Sequence, residues 1–369
     1  MSLALHGFGL AVPETRIDQD QALTIARSLA RPSDEQDTWL PGMYQGTRIQ
    51  TRNLALPAAL ITDILGGTAH SGSVYLPRPD PADRGPTTGQ RLEHYRDLAP
   101  PLAREASLRA LHQADCPPQA ITHLITVSCT GFLAPGLDRD LIVSLGLPAT
   151  VERTHVGYMG CHGALNGLRV ARAFAEADPA ARVLVCATEL CSLHYHYSWN
   201  PQKMVANALF ADGAAAVVAS ADAQRPGWHL RANGACLVPD SADAMTWTVG
   251  DHGFEMTLAR NVPGLIARHL RPFLEQWLAQ HGLSVAAISS WAIHPGGPKI
   301  LSAVQETLEL HEEQMAASYA VLGKHGNMSS PTLLFILDEL ARTAASGPCV
   351  ALGFGPGLAV EVALLDRRG

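Results

Sequence analysis

The stretch "GYMGCHGALNGLRVA", residues 157–171, sets a cysteine and a histidine among glycines at the start of an apolar repeat. Gly157, Gly160 and Gly163 permit a tight turn. Beyond it Ala164, Leu168, Ala171 and Ala175 fall on one stripe, with Arg169, Arg172 and Glu176 off it, which predicts a helix beginning at or near Cys161. The unpaired N–H groups and dipole of a helix start favour thiolate over thiol. A sharp turn presenting a side chain from a helix N-terminus is also the logic of a nucleophile elbow. On this stretch alone a buried structural cysteine is an equal reading. His162 is adjacent, but neighbours at a helix start point in different directions, so it is not expected to be the base for Cys161.

Two later segments bear on that choice. In "WAIHPGGPKI" (291–300), His294 ends an expected strand and is followed by Pro295, Gly296 and Gly297. Strand ends in α/β sheets are where functional groups gather, although a lone histidine there is more often structural. In "GKHGNMSSPTLLFIL" (323–337), Asn327 follows a glycine turn, and Pro331 through Leu333, Leu334 and Leu337 read as a buried helix. An Asn beside a Gly is commonly a turn or cap. His325 is a competing base candidate in what reads as an exposed loop.

Around these segments the apolar runs are short and rich in Val, Ile, Leu and Ala: 123–129, 182–188, 214–220, 288–294 and 350–355. Such runs suit strands buried on both faces. Helical patterns at 101–115 and 262–282 lie between them, the second with Pro263 in its first turn and a stripe of Ile266, Leu270, Phe273, Leu274 and Trp277. This alternation indicates an α/β fold with layered sheets. A helix leading into "HLITVSCTG", and later another into "SSWAIHPGG", hints at a duplication, with a boundary near residues 222–236. Residues 67–90 read as a long loop, rich in Gly, Pro and Asp.

Composition narrows the function. The chain has 369 residues, 47% hydrophobic and 17% charged, with a net charge of −7. That balance can bury a substantial core and lacks the basic footprint of a nucleic-acid binder. No apolar run reaches the length of a membrane span, and the first residues do not read as a signal peptide, so the expected compartment is the cytoplasm. The seven cysteines are odd in number and include no CxxC, which disfavours a disulfide framework or a zinc ribbon.

The cysteine at a helix start, then "IHPGGP", "GNMSSPT" and "GFGPGL", with "NALFADGAAAVV" and "RNVPGLI" between, occur in the order seen in the type III polyketide synthases. The chain resembles these chalcone-synthase-like enzymes from about residue 40 to its end. The resemblance implies a thiolase-type layered αβαβα fold of two related halves, here 1–225 and 226–369, and a homodimer. It maps the family's catalytic cysteine, histidine and asparagine onto Cys161, His294 and Asn327. The implied substrates are malonyl-CoA and an acyl-CoA starter, with no metal, flavin or nicotinamide. The thiolate takes the acyl group, with His294 paired to it as imidazolium. His294 and Asn327 then stabilise the enolate that decarboxylation of malonyl-CoA leaves.

Further residues carry over. Phe210 matches the gatekeeper aromatic, and Met256 occupies the second gatekeeper position, where plant enzymes often have Phe. Arg52 and Arg48, in "GTRIQTRNL", match the segment meeting CoA phosphates, and Gly297 is placed with them. Cys129, Cys191 and Phe354, the last in the wall-forming "GFGPG" loop, are expected at the substrate pocket. Ala134 sits where a dimer partner usually contributes a larger residue. A flexible thioether at 256 and a small residue at 191 favour a medium- or long-chain fatty acyl starter, giving alkylpyrones or alkylresorcinols. The alternatives are an aromatic or malonyl starter, a β-ketoacyl-ACP synthase III-like single condensation, a cysteine hydrolase, or a non-catalytic scaffold.

Overall fold

The structure is a computed structural model; it describes residues 2–222, 224–343 and 347–368. Nine strands form one continuous sheet in the spatial order Ser290–Ile293, Cys349–Gly355, Ala359–Arg368, Gly227–Leu237, Leu3–Ala11, Asp212–Ser220, Arg182–Leu190, His123–Ser128, Glu152–Gly157. The two flanks repeat one pattern. Parallel strands lie outermost (His123–Ser128 with both its neighbours; Ser290–Ile293 with Cys349–Gly355) and two antiparallel strands lie inward of them. The flanks join where Leu3–Leu5 pairs with Trp228–Leu230.

Three cores account for the layers. The central one packs the helices Gly163–Ala177 and Thr332–Arg342, through Ala164, Leu168, Leu333 and Leu337, against strands of both flanks. The second lies under the helix Thr88–Gln113, where Ala99, Ala103, Ala106 and Ala110 are fully buried. Approach there is so close that a Cβ on Gly9 would fall 1.9 Å from the Ala106 carbonyl oxygen. The third lies under the helices Val262–Ala279 and Pro298–Leu308. This is the αβαβα arrangement, with two helices sandwiched between sheet layers and the rest outside.

The expected strands are present with small changes of boundary. The helix expected at 101–115 instead starts at Thr88, and Pro100 and Pro101 lie within it. Its start carries a capping box between Thr87 and Gln90. Between Gly66 and Thr88 the chain is irregular, pinned by Asp63, whose carboxylate accepts from the N–H groups of His70 and Ser71. His325 is the last residue of the helix Glu312–His325, not part of a loop, and its ring packs edge-on against Phe335.

Candidate active site

Cys161 lies in a one-turn helix, Gly160–His162, directly before the helix Gly163–Ala177. Gly160 has φ +77°, and a Cβ there would come within 2.3 Å of Pro356, so glycine is what lets the turn close under the Gly355–Pro356 corner. The Gly160 N–H donates to the Cys129 sulfur at 3.1 Å. Cys161 is buried, and burial pushes its thiol up to about 12; the nearby Glu189 carboxyl adds to the shift. The polar side chains of Ser329 and Asn327, beside the sulfur, oppose the shift.

Asn327 follows Gly326, which has φ +71°. Its N–H donates to Leu209 at 3.0 Å and its carbonyl accepts from Ala211 at 2.9 Å, so it brackets Phe210. Its Oδ1 accepts the Ser329 N–H at 2.8 Å, which leaves the amide –NH2 as the group turned to Cys161. Ser329 holds a left-handed φ of +58°, the kind of backbone strain that collects at functional sites.

His294 follows the strand Ser290–Ile293, and its N–H donates to Leu352 of the adjacent strand at 2.8 Å. The ring is fully buried, and among the described residues neither ring nitrogen has a hydrogen-bond partner. Burial lowers its pKa to about 3, with His162 next in effect. Burial thus works against the charged form of both the Cys161 thiol and the His294 ring. Removal from water favours the neutral form of both groups, and opposes the helix-start effect expected for the cysteine.

Cys161 faces about 360 Å³ of empty space, part of it open to solvent, walled by Cys129, Cys191, Phe210, Trp247, Met256 and Ser329. Four expected pocket residues thus come together. Phe210 and Met256 also line a neighbouring space that ends at Gln202 and Gly296. With Cys191 and Trp247 they border a third, which extends to His194, Lys203 and Glu255. They stand where the three spaces meet. Phe354 is not among the lining residues; its ring is buried in the core beneath Val262–Ala279.

The assignment of Arg52 to CoA is overturned. Its side chain is completely buried, and it donates to the carbonyls of Asn207 (3.1 Å), Ala208 and Phe210 (2.9 Å) and to Gln19 Oε1 (2.8 Å). It caps the C-terminal carbonyls of the helix Pro201–Leu209, a role that suits a guanidinium and leaves no free face for a phosphate. Arg48 is exposed, with its guanidinium 5.1 Å from the centre of the Tyr319 ring. Gly297, at φ +143°, precedes the helix Pro298–Leu308 and is buried against Leu209.

Two site residues escaped the sequence. Glu189, next to the end of the strand Arg182–Leu190, is fully buried and accepts from the Cys129 N–H (2.9 Å) and from the hydroxyls of Thr130 (2.7 Å) and Ser330 (2.8 Å). Burial raises its pKa to about 7. The signal was available: an acid closing an otherwise buried run, "RVLVCATEL". Trp247 donates from Nε1 to the Cys129 carbonyl at 2.7 Å and forms one wall above Cys161. Nothing local in "AMTWTVG" announces that. Among the described residues, no group of three or more His, Cys, Asp or Glu is placed to hold a metal ion.

The chain matches the family of chalcone and stilbene synthases over most of its length. Residues 78–223 match the N-terminal domain of that family and residues 229–367 the C-terminal domain. The chain belongs to the type III polyketide synthases. Among its relatives in this family, it is 32% identical to the "Alpha-pyrone synthesis polyketide synthase-like Pks18" of Mycobacterium tuberculosis, over 98% of this chain and 90% of that protein. It is 33% identical to the 1,3,6,8-tetrahydroxynaphthalene synthase of Streptomyces peucetius subsp. caesius, over 96% and 90%. The crystal structure of PKS-I from the brown alga Ectocarpus siliculosus superposes with a TM-score of 0.86 at 32% identity, covering 100% of this chain and 98% of that one. The type III polyketide synthase domain of Steely1 from Dictyostelium superposes with a TM-score of 0.87 at 28% identity, covering 100% and 99%. A type III polyketide synthase is an acyltransferase that extends acyl groups by Claisen-type condensation, uses CoA thioesters and needs no further cofactor. No helix among the described residues is long and apolar enough to cross a membrane.

Proposed function

We propose that Cys161, His294 and Asn327 carry the condensation, and that the starter is a medium- or long-chain fatty acyl-CoA extended with malonyl-CoA to alkylpyrones or alkylresorcinols. The observation that supports these roles is the approach of the Asn327 and Ser329 side chains to the Cys161 sulfur, which borders the space shared with Phe210 and Met256. Sγ attacks the thioester carbonyl while its proton passes to His294, and CoA leaves as the thiol after taking that proton. Malonyl-CoA then enters. Its C–CO2 bond breaks, the electron pair flows into the thioester carbonyl, and the Asn327 –NH2 and a His294 N–H meet the developing oxyanion. The enolate carbon attacks the acyl carbonyl on Cys161, and cleavage of the C–S bond returns the lengthened chain to CoA.

The starter reading rests on the wall. Met256 is a pliable residue at the junction of the three spaces and Cys191 a small one bordering two of them, so an unbranched chain can thread past them. Trp247 narrows the space above Cys161, which disfavours a bulky ring there. The relative named for α-pyrone synthesis supports the same class of product. Exposed Phe132 and Tyr158, their ring centres 5.9 Å apart, suit burial against a second copy, and we take the protein to be a cytoplasmic homodimer. We assign the two halves to residues 1–225 and 226–369; the link between them falls just before the strand Gly227–Leu237.

The test is mass spectrometry of products from malonyl-CoA with acetyl, hexanoyl, lauroyl, palmitoyl, benzoyl and coumaroyl CoA, with Cys161→Ala alongside. Pyrones or resorcinols from the long chains, absent in the variant, are expected. Products from aromatic or malonyl starters alone reject the fatty acyl assignment, and single-round products reject iteration.

A further inference from the structure

An acyl-CoA presented to Cys161 has two arms, the pantetheine on one side of the thioester and the acyl chain on the other, and they must leave the reacting carbon in different directions. Two spaces lead away from the one that Cys161 borders, and both meet it at Phe210 and Met256. One ends at Gln202 and Gly296, beside Gly297, on the side expected for CoA. The other measures about 390 Å³, part of it open to solvent, and also shares Cys191 and Trp247 with the Cys161 space. With CoA on the Gly296 side, this second space is left for the acyl tail.

The far end of that space carries an ion pair. Lys203, from the helix Pro201–Leu209, meets Glu255, from the strand Gly253–Leu258, at 2.6 Å, and both side chains border the space. The lysine side chain is 18% exposed and the glutamate 40%, which places the pair at the solvent end, whereas Cys191 and Phe210 at the inner end are buried. Neither wall depends on the pair for its position. The helix is capped at its start by Asn200, whose Oδ1 accepts from the N–H groups of Gln202 and Lys203, and at its end by Arg52. The hairpin of Met245–Gly250 and Gly253–Leu258 is fixed by three bonds: the Gly253 N–H to the Thr88 hydroxyl (2.8 Å), the Phe254 N–H to His194 Nδ1 (3.0 Å), and Trp247 Nε1 to the Cys129 carbonyl. The ion pair therefore acts on the space rather than on the fold.

We infer that the Lys203–Glu255 pair is the end-stop of the acyl-tail space and sets the longest starter the enzyme extends. The inference rests on the fatty acyl reading proposed above. Its physical basis is the contrast between the two ends of the space. Beside Phe210, Trp247 and Met256 an alkyl chain meets apolar atoms and a thioether that yields. At Lys203 it meets an ammonium largely withdrawn from water, with Glu255 as its ion-pair partner. To pass, the chain must part the pair and leave that ammonium facing methylene groups, a cost that exceeds the gain from burying one or two further methylenes. A chain that stops short leaves the pair intact.

The test is kcat/KM for malonyl-dependent product from even-numbered acyl-CoA starters, octanoyl to stearoyl, read by mass spectrometry in the full-length protein. The ceiling is the length beyond which kcat/KM drops about tenfold, the discrimination a pocket makes over an extra methylene. Lys203→Ala and Glu255→Ala each remove one half of the pair at a partly exposed position. Both raise the ceiling by one or more two-carbon steps, so that the first starter the parent rejects gains about tenfold, while octanoyl-CoA is extended as before. Lys203→Glu combined with Glu255→Lys rebuilds the pair in reverse and returns the ceiling to that of the parent. A ceiling unmoved in both single variants overturns the inference, and so does a raised ceiling that the exchange does not lower, or a parent with no drop up to stearoyl-CoA. A loss of rate for every starter alike, octanoyl included, marks the pair as a support of the fold and also overturns it. If the parent gives no product from any of these starters, the fatty acyl reading itself fails, and this inference with it.

Discussion

Replacing Glu189 by Gln removes a carboxyl group held inside the protein by the Cys129 N–H and the hydroxyls of Ser128, Thr130 and Ser330. Burial raises its folded-state pKa from 4.5 to about 7, against the bonds that favour the anion. Between those two values the folded protein binds more protons at this site than the unfolded chain does. Stability from this group is therefore greatest below pH 4.5 and declines as pH rises to 7. The full difference is about 3 kcal/mol, and most of it falls between pH 5 and pH 8. A glutamine does not titrate, so its stability relative to the parent improves by that amount over the same interval. A constant offset of about 1–3 kcal/mol against the variant is expected, because the Cys129 N–H touches both carboxyl oxygens and meets the new –NH2 in one orientation. Equilibrium urea unfolding of both proteins at pH 5, 6, 7 and 8 separates the slope from the offset. Parallel stability curves would refute the reasoning, since they would mean that Glu189 ionises in the folded state as it does in the unfolded one.

Asn327→Ala should slow release of labelled CO2 from malonyl-CoA by about 10²–10³-fold, the usual effect of losing one oxyanion donor, while Cys161 is still acylated; undiminished release would remove Asn327 from the decarboxylation. Trp247→Ala should widen the space above Cys161 and admit benzoyl or coumaroyl starters in the product spectrum, at a cost below the about 3–5 kcal/mol of a fully buried tryptophan. An unchanged starter range would show that Trp247 does not limit the cavity. Arg52→Met strips donors from three buried carbonyls and should lower stability by about 3 kcal/mol or more without raising KM for CoA esters, whereas Arg48→Ala should raise that KM. A raised KM in Arg52→Met at full stability would return Arg52 to CoA binding.

Much of the fold was legible because its evidence is local. The runs at 182–188 and 350–355 are apolar on both faces, and their strands are buried on both faces. Cys161 could be placed from the period of Ala164, Leu168 and Ala171 together with three glycines. His294 and Asn327 could be singled out only as the ends of predicted elements. Their meeting depends on a strand register and on a bracket around Phe210 that no local pattern encodes. Arg52 was misread for the same reason. An arginine in a polar segment reads as solvated, but the carbonyls it caps lie 155–158 residues further on. The start of the helix at Thr88 was hidden by Pro100 and Pro101, which mark an end in most helices; the capping box at Thr87 and Gln90 was the better guide. The charge state of Cys161 could not be read either, since burial is set by the whole fold and here opposes the helix-start effect.

The central claim is that Cys161 takes the acyl group. Intact-protein and peptide mass spectrometry after brief exposure to lauroyl-CoA tests it directly. The account predicts one lauroyl adduct per chain on the peptide carrying Cys161, its loss on adding malonyl-CoA, and no adduct in Cys161→Ala. An adduct on Cys129 or Cys191 that malonyl-CoA discharges, or malonyl-dependent product from Cys161→Ala, would contradict it.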